Sequence, residues 1–306
     1  MTGKIDAVAV GEVLWDIFPD SRKLGGAPFN FALHLKRLGA DCRFVSRVGR
    51  DPEGDEIRAR LLEEGFAVDT LQVDDERRTG SVSVALDRRG VPDFTIHDDA
   101  AFDRIAAGPR ERALLAAGPG LVYFGTLAQR TPAGFAALQS LLAARPPGSR
   151  ALCDLNLRPR CYGRETVVAS LRQADVLKLN AEEFAEIKAM LGPGGSDESF
   201  TAFLFREFGL EMIALTRGEA GAELIRPNDR RSGAPPPVPQ MADTVGAGDA
   251  FAALLALGLL RGWSPGRTLE LALEFSSRIC SVAGALPRER GLHDAMRARM
   301  AEEGHG

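Results

Sequence analysis

From Leu121 onward, short apolar runs alternate with stretches of helical length, and that rhythm narrows the folds open to this chain more than any other feature. Strands are expected at Leu121–Phe124, Ala151–Leu155, Asp175–Leu179 and Met212–Leu215, with helices at Pro132–Ala144, Glu165–Ala174, Ala181–Leu191 and Glu198–Phe208 between and after them. Strands so short and so uniformly apolar are buried on both faces, and parallel neighbours need a crossover helix between them. The pattern therefore predicts an α/β fold with a central, mostly parallel sheet covered on both sides. The N-terminal part fits the same scheme. A strand at Ile5–Val10 breaks at Gly11, a helix at Pro28–Leu38 stops at Gly39, a strand follows at Arg43–Val48, and a helix at Pro52–Glu64 closes at Gly65.

One region departs from the rhythm. Ser81–Leu86 and Val91–Ile96 alternate apolar and polar residues around Asp87-Arg88-Arg89-Gly90, the mark of a hairpin with one wet face. With Val13–Phe18 it is expected to form a small sheet projecting from the main one, so that segments 13–20 and 79–102 make a lid. The proline-rich run Ser232–Pro239 reads as an extended surface connection, because the parallel pattern is unfinished there. A single domain over residues 1–306 is expected.

The chain carries 38 basic and 42 acidic residues, a net charge of −4, which offers no basis for binding nucleic acid or a membrane surface. Cys42, Cys153, Cys161 and Cys280 are scattered without a C-x-x-C pair, which argues against zinc and a disulfide framework and for reduced thiols. The opening MTGKIDAVAVGE has no signal-peptide apolar stretch and no segment is long enough to span a bilayer, so a cytoplasmic location is expected.

Chemistry concentrates in Asp243-Thr-Val-Gly-Ala-Gly-Asp-Ala-Phe251, just before an apolar stretch of helical length. Gly246 and Gly248 let backbone N–H groups crowd together at a helix start, where unpaired donors and the helix dipole favour phosphoryl oxygens. Asp249 there can take a proton from a nearby hydroxyl, although a glycine turn with Asp as helix cap would read the same. Upstream, Gly25-Gly26-Ala27-Pro28-Phe29-Asn30 combines glycines that admit a polyol with an amide able to donate and accept hydrogen bonds. Gly11-Glu12 and Asp16 follow the first strand, at the end where α/β folds bind ligands.

The nonapeptide resembles the C-terminal signature of the ribokinase-like carbohydrate kinases of the phosphofructokinase-B type. Gly25–Asn30, with Leu38-Gly39 and Val48-Gly49-Arg50-Asp51, looks like that family's N-terminal signature, and the resemblance runs from Val8 to about Leu286. It implies a three-layer ribokinase-like sandwich with a β-sheet lid. It also implies an anion hole from Gly246, Ala247 and Gly248, Asp249 as catalytic base, and Asp16, Gly26 and Asn30 around the sugar. Asn180-Ala-Glu-Glu183 resembles the family's N-x-x-E motif near metal and phosphates, with Glu183 holding Mg through water, although Asn180 as a helix cap and Glu183 as a solvated first-turn acid would read the same. Thr216-Arg-Gly218-Glu-Ala-Gly221 matches a T-x-G-x-x-G turn on the phosphate side of the nucleotide. Asp154-Leu-Asn156-Leu-Arg158 resembles the D-x-N-x-R segment of the fructokinase and ketodeoxygluconate-kinase branches. Arg158 would then hold the sugar or the phosphoryl group, the alternative being a buried ion pair. ATP and Mg are the implied cofactors, with K+ held by Asp243 and nearby carbonyls. One departure stands out: Phe275–Ala285 keeps the terminal Gly-Ala but carries serines and Arg278 where relatives have Asn or an alanine run.

The substrate reading follows from the lid. Phe94, Phe102 and His97 would face the sugar, while Arg88 and Arg89 sit at the hairpin tip, so apolar walls with Asp16 and Asn30 suit a small neutral sugar, fructose first. His97 reads equally as a surface strand residue. A 2-keto-3-deoxygluconate kinase, a nucleoside kinase and a non-catalytic binding protein on the same fold remain the alternatives. A dinucleotide-dependent dehydrogenase does not fit, because the first strand leads into Gly11-Glu-Val-Leu-Trp-Asp16 rather than a glycine-rich phosphate turn. The lid also offers a surface for a homodimer.

Overall fold

A computed structural model describes residues 6–86, 92–192, 194–238 and 241–302. Its strands are β1 (Ala7–Val10), β2 (Leu14–Phe18), β3 (Ser21–Gly25), β4 (Cys42–Gly49), β5 (Leu71–Asp74), β6 (Gly80–Leu86) and β7 (Pro92–Ile96). They continue as β8 (Leu121–Phe124), β9 (Arg150–Asp154), β10 (Val176–Asn180), β11 (Met212–Thr216), β12 (Ala222–Arg226) and β13 (Asp229–Gly233). The helices are α1 (Ala27–Arg37), α2 (Pro52–Glu63), α3 (Pro109–Ala116), α4 (Pro132–Ala143), α5 (Arg164–Gln173), α6 (Ala181–Leu191) and α7 (Asp197–Phe208). The last three are α8 (Ala247–Arg261), α9 (Pro265–Ile279) and α10 (Gly291–Glu302).

Nine strands form the main sheet in the order β13-β12-β11-β10-β9-β8-β1-β4-β5. The pairs from β11 to β5 are parallel, and β12 and β13 close one edge as an antiparallel hairpin. Side chains alternate across β1 as a pleated strand requires. Ala7 and Ala9 join a core with Phe31 of α1, Leu254 of α8, Phe275 of α9 and Met296 of α10. Val8 and Val10 join the opposite core with Leu115 of α3, Leu141 of α4, Leu171 of α5, Ile187 of α6 and Phe200 of α7. These are the three layers expected. Local signals set the helix starts: Asp51, Thr131 and Ser264 each accept a first-turn N–H from Gly54, Gly134 and Arg267, with proline next in the chain.

The small sheet has the order β3-β2-β6-β7, with β2 parallel to β6 and antiparallel to β3. Val13–Phe18 and the hairpin therefore meet as expected, and β3 adds an edge strand for which the sequence carries no expectation. The hairpin connection with Arg88 and Arg89 lies outside the described residues. The strands β5, β12 and β13 were also unforeseen: β13, Asp-Arg-Arg-Ser-Gly, has no apolar alternation because it is a polar sheet edge. Among the described residues no helix is long and apolar enough to cross a membrane. Cys42, Cys153 and Cys280 are buried and Cys161 is half-buried, all four as free thiols.

Candidate active site

The carboxyl ends of β1, β9, β10 and β11 converge with the start of α8, and nearly every chemistry-bearing residue falls there. Gly246 caps α8 at φ 81°, and a β-carbon on it would lie 2.4 Å from Ala285 Cα. Only glycine satisfies both conditions. The first-turn N–H groups of Gly248 and Asp249 have no carbonyl to bond within the helix. Ala247 N–H instead donates to Thr244 at 3.3 Å. Asp249 stands in this turn, where the positive helix end favours a carboxylate.

Asp249 Oδ2 accepts from Asn30 Nδ2 of α1 at 2.8 Å. Asn30 is buried, and its Oδ1 has no hydrogen-bond partner among the described residues, leaving an acceptor for a ligand hydroxyl. Burial pushes the Asp249 carboxyl up to about 6, with the Asn30 bond opposing, Asp154 adding to the rise, and Lys178 and Arg158 lowering it. Asp16, on β2, is pushed up to about 6 by burial against the pull of Arg158 and Lys23. Its Oδ2 lies 2.6 Å from where a β-carbon on Gly25 would stand, so the carboxylate packs over the glycine pair. Gly26, at φ 107°, passes so close to Glu12 that a β-carbon would meet its carbonyl oxygen at 2.6 Å. Asn30 therefore bonds Asp249 directly, while Asp16 packs over Gly25 and shares with Asp249 the field of Arg158.

Arg158 is exposed on the loop after β9 and makes no ion pair among the described residues, so the buried-pair reading of it falls. Its charge reaches Glu12, Asp16 and Asp249 alike. Glu183 is tied more tightly than expected. Its Oε2 accepts Asn180 N–H and its Oε1 accepts Leu157 N–H, both at 2.8 Å, while Asn180 returns a cap to Glu183 N–H. That capping box joins the N-x-x-E turn to the loop bearing Arg158, where Asn156 adopts φ 42°. Burial raises the Glu183 carboxyl, with Asp154 adding to it. Each Glu183 oxygen keeps a free lone pair, a donor set that fits a hydrated hard cation rather than a direct cage. Asp243 is similarly committed: Oδ1 accepts Val245 N–H at 2.9 Å and Oδ2 accepts Gly284 N–H at 3.0 Å, pinning the loop before α8 to the segment after α9.

Thr216 ends β11, and Gly218–Ala220 form a single 3-10 turn closed by Arg217 N–H on Gly221 O at 2.8 Å. Gly221 packs against β13, where a β-carbon would meet Gly233 O at 2.0 Å. Beside this turn a cleft of about 620 Å³ opens between the proline-rich run and α9, lined by Pro236, Pro237, Val238, Leu269, Leu273 and Ser277.

One expected wall fails. Phe102 is 0% exposed in the core, beneath Gly80 and capped by the Arg130 guanidinium 5.0 Å from its ring, so it has no surface to offer a sugar. Phe94 pairs with Val84 in the lid, but its side chain lies outside the described residues. His97 is exposed and bonds Ser83 Oγ at 2.6 Å, a surface strand residue. Glu12, which the sequence places with Asp16 after the first strand but gives no role, is buried near Asp249 and Arg158 with its carboxyl pushed up to about 7 by burial. Lys178 and Tyr123 carry no expectation from the sequence, and their one signal there is a lysine and a tyrosine each set inside an apolar strand.

Residues 10–289 match the model of the pfkB family of carbohydrate kinases. A fructokinase of Klebsiella pneumoniae is 32% identical over 299 residues, which is 94% of this chain and 93% of that protein. A 5-dehydro-2-deoxygluconokinase of Clostridium beijerinckii is 23% identical over 313 residues, 91% of this chain and 89% of that protein. A solved E. coli structure, described as a putative ribokinase II in complex with ATP and Mg, superposes with a TM-score of 0.83 at 22% identity, over 96% of this chain and 99% of that one. With the family model spanning nearly the whole chain, and the Asn30–Asp249 pair at the mouth of a parallel sheet, this protein belongs to the pfkB family of carbohydrate kinases.

Proposed function

We propose that this kinase transfers the γ-phosphoryl group of ATP to a hydroxyl of a small neutral sugar, with fructose as the first substrate to test. The observation that carries the reading is Asp249, a half-buried carboxylate at a helix start, bonded to an Asn30 amide whose own oxygen is free. In this reading Asp16 and Asn30 Oδ1 grip adjacent hydroxyls and turn a third toward Asp249. Asp249 takes that hydroxyl's proton as the sugar oxygen bonds the γ-phosphorus and the bond to the β–γ bridging oxygen breaks, leaving ADP. The N–H groups of Gly246 and Gly248 face the transferring oxygens, and Ala247 N–H joins them on giving up its 3.3 Å bond to Thr244. Asn180, Thr216, Gly218 and Gly221 border the phosphates, and the base of ATP lies in the cleft between Pro236–Val238 and α9. Mg, held by Glu183 through water, would neutralise phosphate charge. A monovalent cation beside Asp243 would do the same for the loop before α8.

The balance of charge favours a neutral sugar. Glu12, Asp16 and Asp249 surround the site, against Arg158 and Lys23. A carboxylate on the sugar would meet the carboxylates of Asp16 and Asp249, with Glu12 adding its charge only as pH rises through about 7. One observation favours the other reading: Arg158 is exposed and free to fork onto a carboxylate, as a 2-keto-3-deoxygluconate kinase would require. A coupled ADP-release assay with fructose, ketodeoxygluconate, ribose, adenosine and fructose phosphates decides. Highest kcat/KM for fructose supports the neutral-sugar reading, highest kcat/KM for the acid replaces it, and no ADP release with any sugar points to a silent binding protein.

A further inference from the structure

Lys178 stands in the middle of β10 between Leu177 and Leu179, both fully buried, and its side chain is only 8% exposed. Its Nζ donates to both oxygens of Asp154, at 3.0 and 2.9 Å, and the buried Tyr123 hydroxyl donates to Asp154 Oδ2 at 3.0 Å. Interior ion pairs lose hydration that their attraction barely restores, and apolar replacement of both partners is often no less stable. Fold stability alone therefore does not account for a lysine at this position. Its direction suggests what does. A β-carbon placed on Gly248 would lie 3.4 Å from Nζ, so the ammonium rests against the first turn of α8, beside Asp249.

We propose that Lys178 is the positioning charge of the transfer site, an ammonium locked by Asp154 and Tyr123 beneath the N-terminal turn of α8 to balance the charge of the transferring phosphoryl group. The inference rests on Asp249 being the base. The phosphoryl group in flight carries negative charge on its outer oxygens, and a fixed, desolvated cation stabilises it without reorganising. The helix end supplies only a partial charge, and Lys178 adds a whole one. The ammonium stays protonated: burial alone would lower its pKa, but Asp154, with Glu183 and Asp249 behind it, raises it. Asp249 is faced by Asn30 from α1, Glu12 after β1, Tyr123 on β8, Asp154 on β9, Arg158 beyond it and Lys178 on β10. Of these Asp154 pushes its carboxyl up, and Lys178 and Arg158 bring it back.

The test compares wild type with two neutral pairs, Lys178→Met/Asp154→Asn and Lys178→Gln/Asp154→Asn, and with Lys178→Met alone. The pairs avoid leaving a buried carboxylate without its cation, and thermal melting checks that each folds. For both pairs kcat should fall about tenfold to a hundredfold, as when a preorganised donor is removed. KM for sugar should stay within about twofold, since the ground state is held elsewhere. The acid limb of kcat should stay at or below its wild-type position, because the neutral pairs also remove Asp154. Lys178→Met alone should move that limb to higher pH, with Asp154 left uncompensated. A folded pair with kcat within about threefold of wild type overturns the proposal, as does a loss confined to KM. Asp249→Asn separates the two readings. If it is inert while the pairs are fully active, only the Lys178 proposal fails; if it stays active, the base assignment fails.

Discussion

Asn30 Nδ2 and Asp249 Oδ2 share a 2.8 Å hydrogen bond although 219 residues separate them in the chain. The bond donates to the ionised carboxylate and so opposes the burial that pushes Asp249 up to about 6. It also orients the second Asp249 oxygen and leaves Asn30 Oδ1 free beside it. Residues from both ends of the chain thus meet as one carboxylate–amide pair with an amide oxygen left unpartnered among the described residues.

Asp249→Asn keeps this shape but cannot take a proton. Its kcat should fall about 10²- to 10⁴-fold, the usual contribution of a general base, while ATP and sugar binding stay near wild type. In the wild type the rate should drop as pH falls through about 6, where the carboxyl protonates. A variant with near-native kcat would remove Asp249 from the proton transfer.

The local segments of this site are legible in the sequence. The loop at 243–251 and the Gly25–Asn30 segment are each contiguous in sequence, and their glycines mark the two helix starts at which the structure brings Asp249 and Asn30 together. The parallel sheet was equally plain in its apolar strands. Contacts that depend on chain crossing were not. Asn30 on Asp249, Leu157 on Glu183 and Gly248 over Lys178 join segments whose proximity only the sheet order creates. Phe102 misled because an aromatic after an amphipathic hairpin reads the same whether it faces a ligand or the core, and here Gly80 leaves room for its ring beneath the lid. The edge strand Asp229–Gly233 carried no apolar period to read.

Glu12→Gln tests the burial of charge at the cleft floor. The Glu12 carboxyl stands at about 7 in the folded chain against 4.5 when exposed, so the native state binds the proton more tightly than the unfolded one. The stability this contributes is fully present below pH 4.5 and is lost as pH rises through about 7. Glutamine is neutral throughout. The variant should therefore melt higher than wild type at alkaline pH, by a margin of about 2–4 kcal/mol at most, and lose that advantage in acid. An equal difference at both pH extremes would mean that the effect is packing, not ionisation.

Glu183→Gln separates a metal role from a scaffolding one. The amide keeps one acceptor but turns an NH2 toward either Asn180 N–H or Leu157 N–H, leaving a buried donor unpaired at a cost of roughly 1–3 kcal/mol. Lower thermal stability is expected on that ground alone. If Glu183 also holds hydrated Mg, the Mg concentration for half-maximal rate should rise, since an amide oxygen is a weaker ligand than a carboxylate. Reduced stability with an unchanged Mg dependence would leave Glu183 as the joint between two loops and nothing more.

Asp16→Ala probes the sugar from the lid side. Asp16 sits on β2, packed over Gly25 and within the fields of Arg158 and Lys23, so its carboxylate can accept from a hydroxyl held against Asn30. Removing it strands that hydroxyl without an acceptor, a loss of roughly 2–3 kcal/mol for a bond to a charged group. At 1.36 kcal/mol per decade, kcat/KM for fructose should fall about 30- to 150-fold. KM for ATP should hardly change, because the proposed place for the base of ATP, between Pro236–Val238 and α9, does not include Asp16. A parallel collapse of ATP affinity would make Asp16 a brace between β2 and the Gly25 turn. Should the loss appear with ribose or adenosine and not with fructose, the hydroxyls Asp16 reads belong to another sugar, and the charge argument for a neutral substrate would stand with fructose displaced.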